Sequence, residues 1–246
     1  MPRMSRAVAV GYPHHITQRG NYRQSVFSDA DDYAHYLKWL AQYARKYGLE
    51  IWAYCLMPNH VHFVAVPDAA DSLARTFNTV HMQYAQYYNQ KNEAKGHLWQ
   101  GRFFSCVLDE RHTYAAVRYV ELNPVRGGMV ATPEEYPWSS AKSHITGFSD
   151  SVLSGRCFLM ETVKDWRQYL GEEKDPDAQK KVIEATNSGH PCGAEGFIRQ
   201  MEAVIGRRFI PRPAGRPYGS IKAKEKAGED GGSAEAAAEN PLLSDS

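Results

Sequence analysis

The order of apolar patterns between residues 14 and 122 leaves few folds open. His14–Arg19 reads as a short strand ended by Gly20-Asn21. Ser28-Asp29 then caps a helical pattern carrying Tyr33, Tyr36, Leu37, Leu40 and Tyr43, closed by Gly48. Glu50–Met57 and His60–Val66 are apolar, aromatic-rich strands separated by the turn residues Pro58-Asn59, which predicts a hairpin. Asp71-Ser72 opens a second long helix with Leu73, Phe77, Val80, Tyr84 and Tyr87, which runs out near Lys91. A polar loop leads to a strand over Arg102–Leu108, and a helix follows from about Arg111 to Leu122, stopped near Pro124. The predicted class is α+β: a ferredoxin-like β-α-β-β-α-β antiparallel sheet with its helices on one face and the histidine strand central. The other face is expected to be free for a site. Residues 156–170, 175–187 and 194–206 carry helical patterns, so a mostly helical C-terminal extension is predicted.

Two histidines stand out inside Met57-Pro-Asn-His-Val-His-Phe-Val-Ala-Val-Pro67. Side chains at i and i+2 of a strand share a face, so His60 and His62 can close on one metal ion. A lone histidine is usually structural, but two aligned imidazoles on an apolar strand need partners. Tyr119 and Asn123, if on one helix, sit at i and i+4 and share a face. Two imidazoles, a carboxamide and a tyrosine hydroxyl are a device suited to cutting a phosphodiester. Tyr114 is the rival nucleophile; it lies about 140° around the helix from Tyr119, so one of the two faces away.

Composition narrows the class further. Hydrophobic content of 43% and charged content of 23% are those of a folded globular chain. The net charge of +1 hides an asymmetry: residues 227–246 carry Glu229, Asp230, Glu235, Glu239 and Asp245 and no Lys or Arg. The remainder is mildly basic, which suits a polyanionic partner. Cys55, Cys106, Cys157 and Cys192 form no CxxC pair, so a zinc ribbon is excluded and reduced thiols in a cytoplasmic protein are expected. No stretch approaches a membrane span, and the run Ala7-Val8-Ala9-Val10 is too short for a signal peptide core. The predicted organisation is a first domain over 1–145, a helical extension with a basic arm over 146–217, and a disordered acidic tail over 218–246.

Five segments carry a resemblance in fixed order: His15-Ile-Thr-Gln-Arg-Gly20, Met57-Pro-Asn-His-Val-His62, Gly96-His-Leu-Trp-Gln-Gly-Arg102, Tyr119-Val-Glu-Leu-Asn-Pro-Val-Arg126 and Tyr136-Pro-Trp-Ser-Ser140. Across about residues 7–145 the chain resembles the REP-associated tyrosine transposases of the single-tyrosine HUH superfamily. The resemblance implies a divalent-metal endonuclease and strand transferase, using Mg²⁺ or Mn²⁺, that cuts single-stranded DNA beside a hairpin and joins ends through a 5′-phosphotyrosine. It implies His60 and His62 as metal ligands, Asn123 as the third polar ligand and Tyr119 as the nucleophile. Family members occur as monomers and as homodimers that exchange the tyrosine helix, and residues 111–123 do not choose between them. DNA contacts are expected from His15, Arg19 and Arg102, with His14 a further candidate, and from a basic arm with Arg207, Arg208, Arg212 and Arg216. His97 and Trp99 are candidates to stack on an unpaired base. Two competing readings remain: a non-catalytic nucleic-acid binder, such as a repressor or RNA binder, and a hydrolase with no covalent step.

Overall fold

The computed structural model describes residues 6–155, 157–172 and 175–211. Strand β1 (His14–Arg19), helix α1 (Ala30–Lys46), strands β2 (Leu49–Met57) and β3 (His60–Pro67), helix α2 (Ser72–Lys91), strand β4 (Phe104–Val107) and helix α3 (Glu110–Glu121) follow in the expected order. The four strands form one antiparallel sheet in the order β2-β3-β1-β4, which places the histidine strand β3 in the centre. Local chemistry sets the boundaries. Asp29 accepts from the Asp32 backbone N–H and starts α1. Gly48 has φ +62° between α1 and β2, a conformation that costs a glycine little. The buried Asp32 carboxylate takes Lys91 Nζ at 2.7 Å, tying the start of α1 to the end of α2.

The α1 and α2 helices cover one face, burying Ile16, Tyr54, Leu56, Phe63, Tyr36 and Phe77. The opposite face is not left free. Its residues Ala53, Cys55, Val64, Val66 and Cys106 are buried under α3 and under α8 (Pro176–Ser188) of the C-terminal extension. The physical reason is visible in β2 and β3: they read as nearly continuous apolar runs, the pattern of strands buried on both sides. The β3 end bearing His60 and His62 interrupts that pattern with polar groups, as does Glu50 near the start of β2.

Between α3 and α8 lie the short helices α4 (Asn123–Arg126), α5 (Ala141–Thr146), α6 (Leu159–Thr162) and α7 (Trp166–Gly171); α9 (Glu195–Ile205) follows α8. The single helix predicted over 156–170 is two pieces, because Val163 turns extended and Asp165 caps a new start by accepting from Gln168 N–H. One compact unit ends at Phe209. Arg212, Arg216 and the predicted acidic tail lie outside the described residues. Among the described residues no helix is long and apolar enough to cross a membrane.

Both outer strands are covered. Beside β2, Leu56 N–H donates to Trp138 O at 2.9 Å and Ser140 N–H to Tyr54 O at 3.0 Å, while the Trp138 ring stacks on Tyr33 at 4.6 Å. Beside β4, Cys192 N–H donates to Val107 O at 2.8 Å and Asp109 N–H to Cys192 O at 3.0 Å. Unpaired edge strands invite further strand addition, and these two segments prevent it.

Two buried histidines away from the histidine pair make stability pH-dependent. Burial depresses His14 to about 4, against a smaller opposing effect of the Tyr12 carbonyl. Burial depresses His81 to about 3, helped by the nearby charge of Arg6. Both bind protons in the unfolded chain below about pH 6.5 but not in the folded one. Their contribution is therefore complete above pH 6.5 and is lost as pH falls towards 4. In urea unfolding, His81→Gln is expected to flatten the loss of stability between pH 6 and 5 by about 1 kcal/mol per pH unit. An unchanged slope would show that His81 titrates alike in both states.

Candidate active site

The antiparallel register brings the polar residues of three segments to one sheet end. His60 pairs with Arg19 on β1 and Met57 on β2, and His62 pairs with Thr17 and Cys55. Directly opposed residues share a face, so Arg19, Thr17 and His15 line the same side as His60 and His62. On β4, Cys106 opposes His15 and Phe104 opposes Thr17, which extends the row to the outer strand.

The imidazoles of His60 and His62 lie 4.9 Å apart, nearly perpendicular. The Tyr119 ring stands edge-on to His62 at 5.3 Å and to His15 at 5.8 Å. Tyr114 is turned elsewhere: its hydroxyl donates to Thr162 Oγ1 at 2.8 Å, and its ring meets Phe158 and Tyr169. Helical geometry predicted that one of the two would face away, and Tyr114 does. Arg126 places its guanidinium 4.5 Å from the Tyr119 ring centroid and donates from Nη2 to the Tyr119 carbonyl. That cation lies over the Tyr119 ring and brings positive charge to this end of the sheet.

Both histidines are held neutral. Burial, then the charge of Arg19, lowers His60 to about 4. Burial takes His62 well below its ordinary value, with His15, His60, Arg126 and Arg19 adding to the effect. A neutral imidazole carries one bare nitrogen. In His60 the protonated nitrogen is Nδ1, because it faces the acceptor Asn59 Oδ1 at 2.6 Å while Asn59 Nδ2 is used on Arg23 O at 3.3 Å. His60 Nε2 is therefore the nitrogen with the lone pair.

Asn123 does not continue the Tyr119 helix. Pro124 clashes with the carbonyl four residues back, α3 stops at Glu121, and Asn123 opens α4. The i,i+4 relation on one helix is thus interrupted. Even so, α4 packs at the correct end of the sheet: Gly127 at its close faces the Met57 methyl, and Met57 is the register partner of His60. Asn123 Nδ2 is buried with no hydrogen-bond partner, an amide end that awaits one. Turning the amide would present its oxygen instead. Among the described residues no group of three His, Cys, Asp or Glu is set to hold a metal. An ion on the histidine pair would therefore draw its third protein donor from another residue type, and a carboxamide fits.

The residues expected on DNA separate into two sets. Arg19 is exposed beside His60, and Arg102 and Arg208 are exposed. Arg102 lines an open cavity of about 430 Å³ with Arg6, Arg207, Gln100 and Phe104. Arg6 is lowered to about 10 by burial and by the charge of Arg102, and it remains cationic at neutral pH. Its Nη2 is buried without a partner. The other set is internal. His15 is 1% exposed and both its ring nitrogens are hydrogen-bonded inside the protein, so it offers nothing to DNA. His14 is equally engaged, to Tyr12 O and Ala9 N–H. Trp99 is core: its ring packs tilted against His81 at 4.6 Å and its Nε1 donates to the His81 carbonyl at 3.1 Å. His97 remains exposed.

Three contributors escaped the sequence reading: Arg126, Phe104 and Thr186. Phe104 is 49% exposed although it opposes Thr17 in the row that carries the histidines. The period-two pattern of β4 held that signal, since Phe104 and the buried Cys106 share a face. A half-exposed aromatic on a strand beside arginines is a stacking platform for an unpaired base.

Residues 9–123 match the family model described as "Transposase IS200 like". A REP-associated tyrosine transposase of Escherichia coli K12 is 27% identical over 93 residues, 37% of this chain and 53% of that protein. A relative from Haemophilus influenzae is 24% identical over 110 residues, 40% of this chain and 62% of its own length. The chain therefore spans between half and two thirds of the curated relatives it matches. A solved REP-associated tyrosine transposase bound to a REP hairpin shares the fold, with a TM-score of 0.50 and 21% identity over 63% of this chain and 92% of that one. Residues 9–123, with their histidine strand and tyrosine helix, are thus similar to the IS200-like transposases.

Proposed function

We propose that the protein is a metal-dependent single-stranded DNA endonuclease and strand transferase that acts beside hairpin-forming repeats. The observation that carries this reading is the Tyr119 ring set 5.3 Å from the His62 imidazole, in the same chain, with the Arg126 guanidinium over the ring. Tyr119 attacks phosphorus, a tyrosine O–P bond forms and the P–O3′ bond breaks. The phenol proton leaves, and the departing 3′ oxygen takes one up. The phosphoester is conserved on the tyrosine, so a second 3′-OH can reverse the step and join strands.

His60 and His62, with Asn123 as third donor, suit a divalent ion: two neutral imidazoles and an amide left unpartnered in the protein. Mg²⁺ or Mn²⁺ bound there would polarise the scissile phosphate and stabilise charge developing in transfer. Arg19 and the arginine-lined cavity would hold the strand by its phosphates, with one base on Phe104. The solved relative's hairpin supports a hairpin-bearing strand as partner. One chain supplies both histidines and tyrosine, so the reading requires no exchange of helices.

The test is incubation with a labelled single-stranded hairpin oligonucleotide library and Mn²⁺, followed by a denaturing gel and mass spectrometry. A DNA adduct on Tyr119 is expected, and sequencing the attached strand gives the cleavage site. Tight binding without adduct or cleavage would move the assignment to a nucleic-acid binder. Phe104→Ala is expected to weaken single-strand binding by about 1–3 kcal/mol while leaving binding of the bare hairpin unchanged. Equal losses on both DNAs, measured by fluorescence anisotropy, would take Phe104 out of the strand path.

A further inference from the structure

Thr186 lies on α8, outside the family-matched segment, and is 2% exposed. Its Oγ1 is 2.6 Å from the Val182 carbonyl and 2.7 Å from His15 Nδ1. His15 Nε2 is in turn 3.1 Å from His62 Nδ1. The direction of every proton in this row is fixed by its first member. A carbonyl can only accept, so the one hydroxyl proton of Thr186 goes to Val182 O. Thr186 Oγ1 is then an acceptor, and His15 Nδ1 must carry a hydrogen to donate to it. A neutral His15 with hydrogen on Nδ1 has a bare Nε2, which can only accept. His62 Nδ1 therefore donates, and the His62 lone pair is left on Nε2. Cys106 Sγ, 3.1 Å from Thr186 Oγ1, fits the same order, since its S–H can donate to that oxygen. His15 and His62 stack at 5.3 Å with 15° between planes, which restrains the rotation of both rings.

We infer that Thr186 and His15 are positioning residues of the transposase site: together they lock His62 into the tautomer with hydrogen on Nδ1 and a bare Nε2. His60 reaches the same tautomer by an independent route through Asn59. The strand thus presents two like nitrogens, one set locally and one set, through His15, by a threonine 171 residues from that histidine in sequence. The consequence for metal binding rests on the ligand assignment above; the tautomer itself does not. Hydrogen bonds from a metal-bound imidazole to a second residue orient the ring and raise its basicity, and their loss typically lowers affinity 10–100-fold. Without the Thr186 acceptor, His15 is released to hold its hydrogen on Nε2. It then donates to His62 Nδ1 and moves the His62 hydrogen to Nε2, the nitrogen needed for an ion.

The experiment is long-range ¹H–¹⁵N correlation on ¹⁵N-histidine-labelled, metal-free full-length protein, which reads each ring's tautomer directly. Wild type is expected to show His62 protonated on Nδ1. Thr186→Val, equal in size but unable to accept, is expected to shift His62 towards the Nε2–H form and to weaken Mn²⁺ binding, read by electron paramagnetic resonance, about 10–100-fold. Thr186→Ser is expected to restore both. His62 found protonated on Nε2 in the wild type overturns the inference with no variant needed. An unchanged tautomer in folded Thr186→Val overturns it as well. If the tautomer behaves as stated but His60→Ala and His62→Ala leave Mn²⁺ affinity untouched, the metal assignment fails and the proton relay stands.

Discussion

Tyr119→Phe should abolish the covalent DNA adduct, with cleavage falling on the order of 10⁴-fold or more, while the protein folds and binds DNA as before. The size of the effect follows from the proposed chemistry: the phenolic oxygen is its nucleophile, and phenylalanine has no atom to form the O–P bond. Its selectivity follows from packing. The phenylalanine ring keeps the edge contacts with His62 and His15 and the Arg126 cation, so neither the helix nor the sheet loses a packing partner. Tyr114→Phe is the matched control. It removes the hydrogen bond to Thr162, costs about 1 kcal/mol and leaves the adduct in place. A gel in which Tyr119→Phe still forms adduct and Tyr114→Phe does not would reverse the roles of the two tyrosines.

Glu121→Ala should destabilise the protein by about 3–5 kcal/mol, a shift in melting temperature on the order of 10 °C. Glu121 is fully buried on the tyrosine helix two residues after Tyr119. One carboxylate oxygen accepts from Ser140 Oγ at 2.5 Å and from His144 Nδ1 at 2.6 Å. The His144 ring stacks on Trp166 at 4.2 Å, and Ser140 Oγ also accepts from Tyr54 N–H at 3.0 Å. One side chain thus joins α3, α5, α7 and β2. Its removal strands the buried His144 imidazole, which costs more unpaired than its bond contributes paired, while Ser140 Oγ keeps the Tyr54 carbonyl at 3.3 Å. Glu121→Gln keeps an acceptor oxygen in the same place and should cost markedly less. Urea unfolding of the two variants measures the difference, and equal losses would mean that the cavity rather than the polar cluster sets the cost.

The same cluster explains which parts of this protein a reader of its sequence can reach. Strands and helices up to Leu122 are legible because each is short-range: a cap at Asp29, a glycine at 48, a turn at Pro58-Asn59, an apolar run at 61–67. The histidine pair and Tyr119 are legible for the same reason, each being a local spacing. Glu121, Ser140 and His144 sit in or near the recognisable segments, but nothing in their spacing says that they meet. His15 looked like a surface donor because a histidine at a strand start often is one. Its burial is decided by α8, whose approach to β1 has no local signature. Asn123 was drawn onto the Tyr119 helix by counting four residues, while Pro124 already carried the reason it could not stay there.

The segments that close the two sheet edges also set the smallest piece of this chain that can be moved or trimmed. A fragment cut at residue 145, the end of the recognisable motifs, would keep Trp138 against β2 but lose Cys192 from β4 and α8 from the sheet. It would expose the open β4 edge together with Cys106 and the faces of β4, β1 and α3 that α8 packs against, a surface that sticks to its own copies. Fusions and transplants of this unit should therefore carry the chain through Phe209, and attach their cargo beyond it.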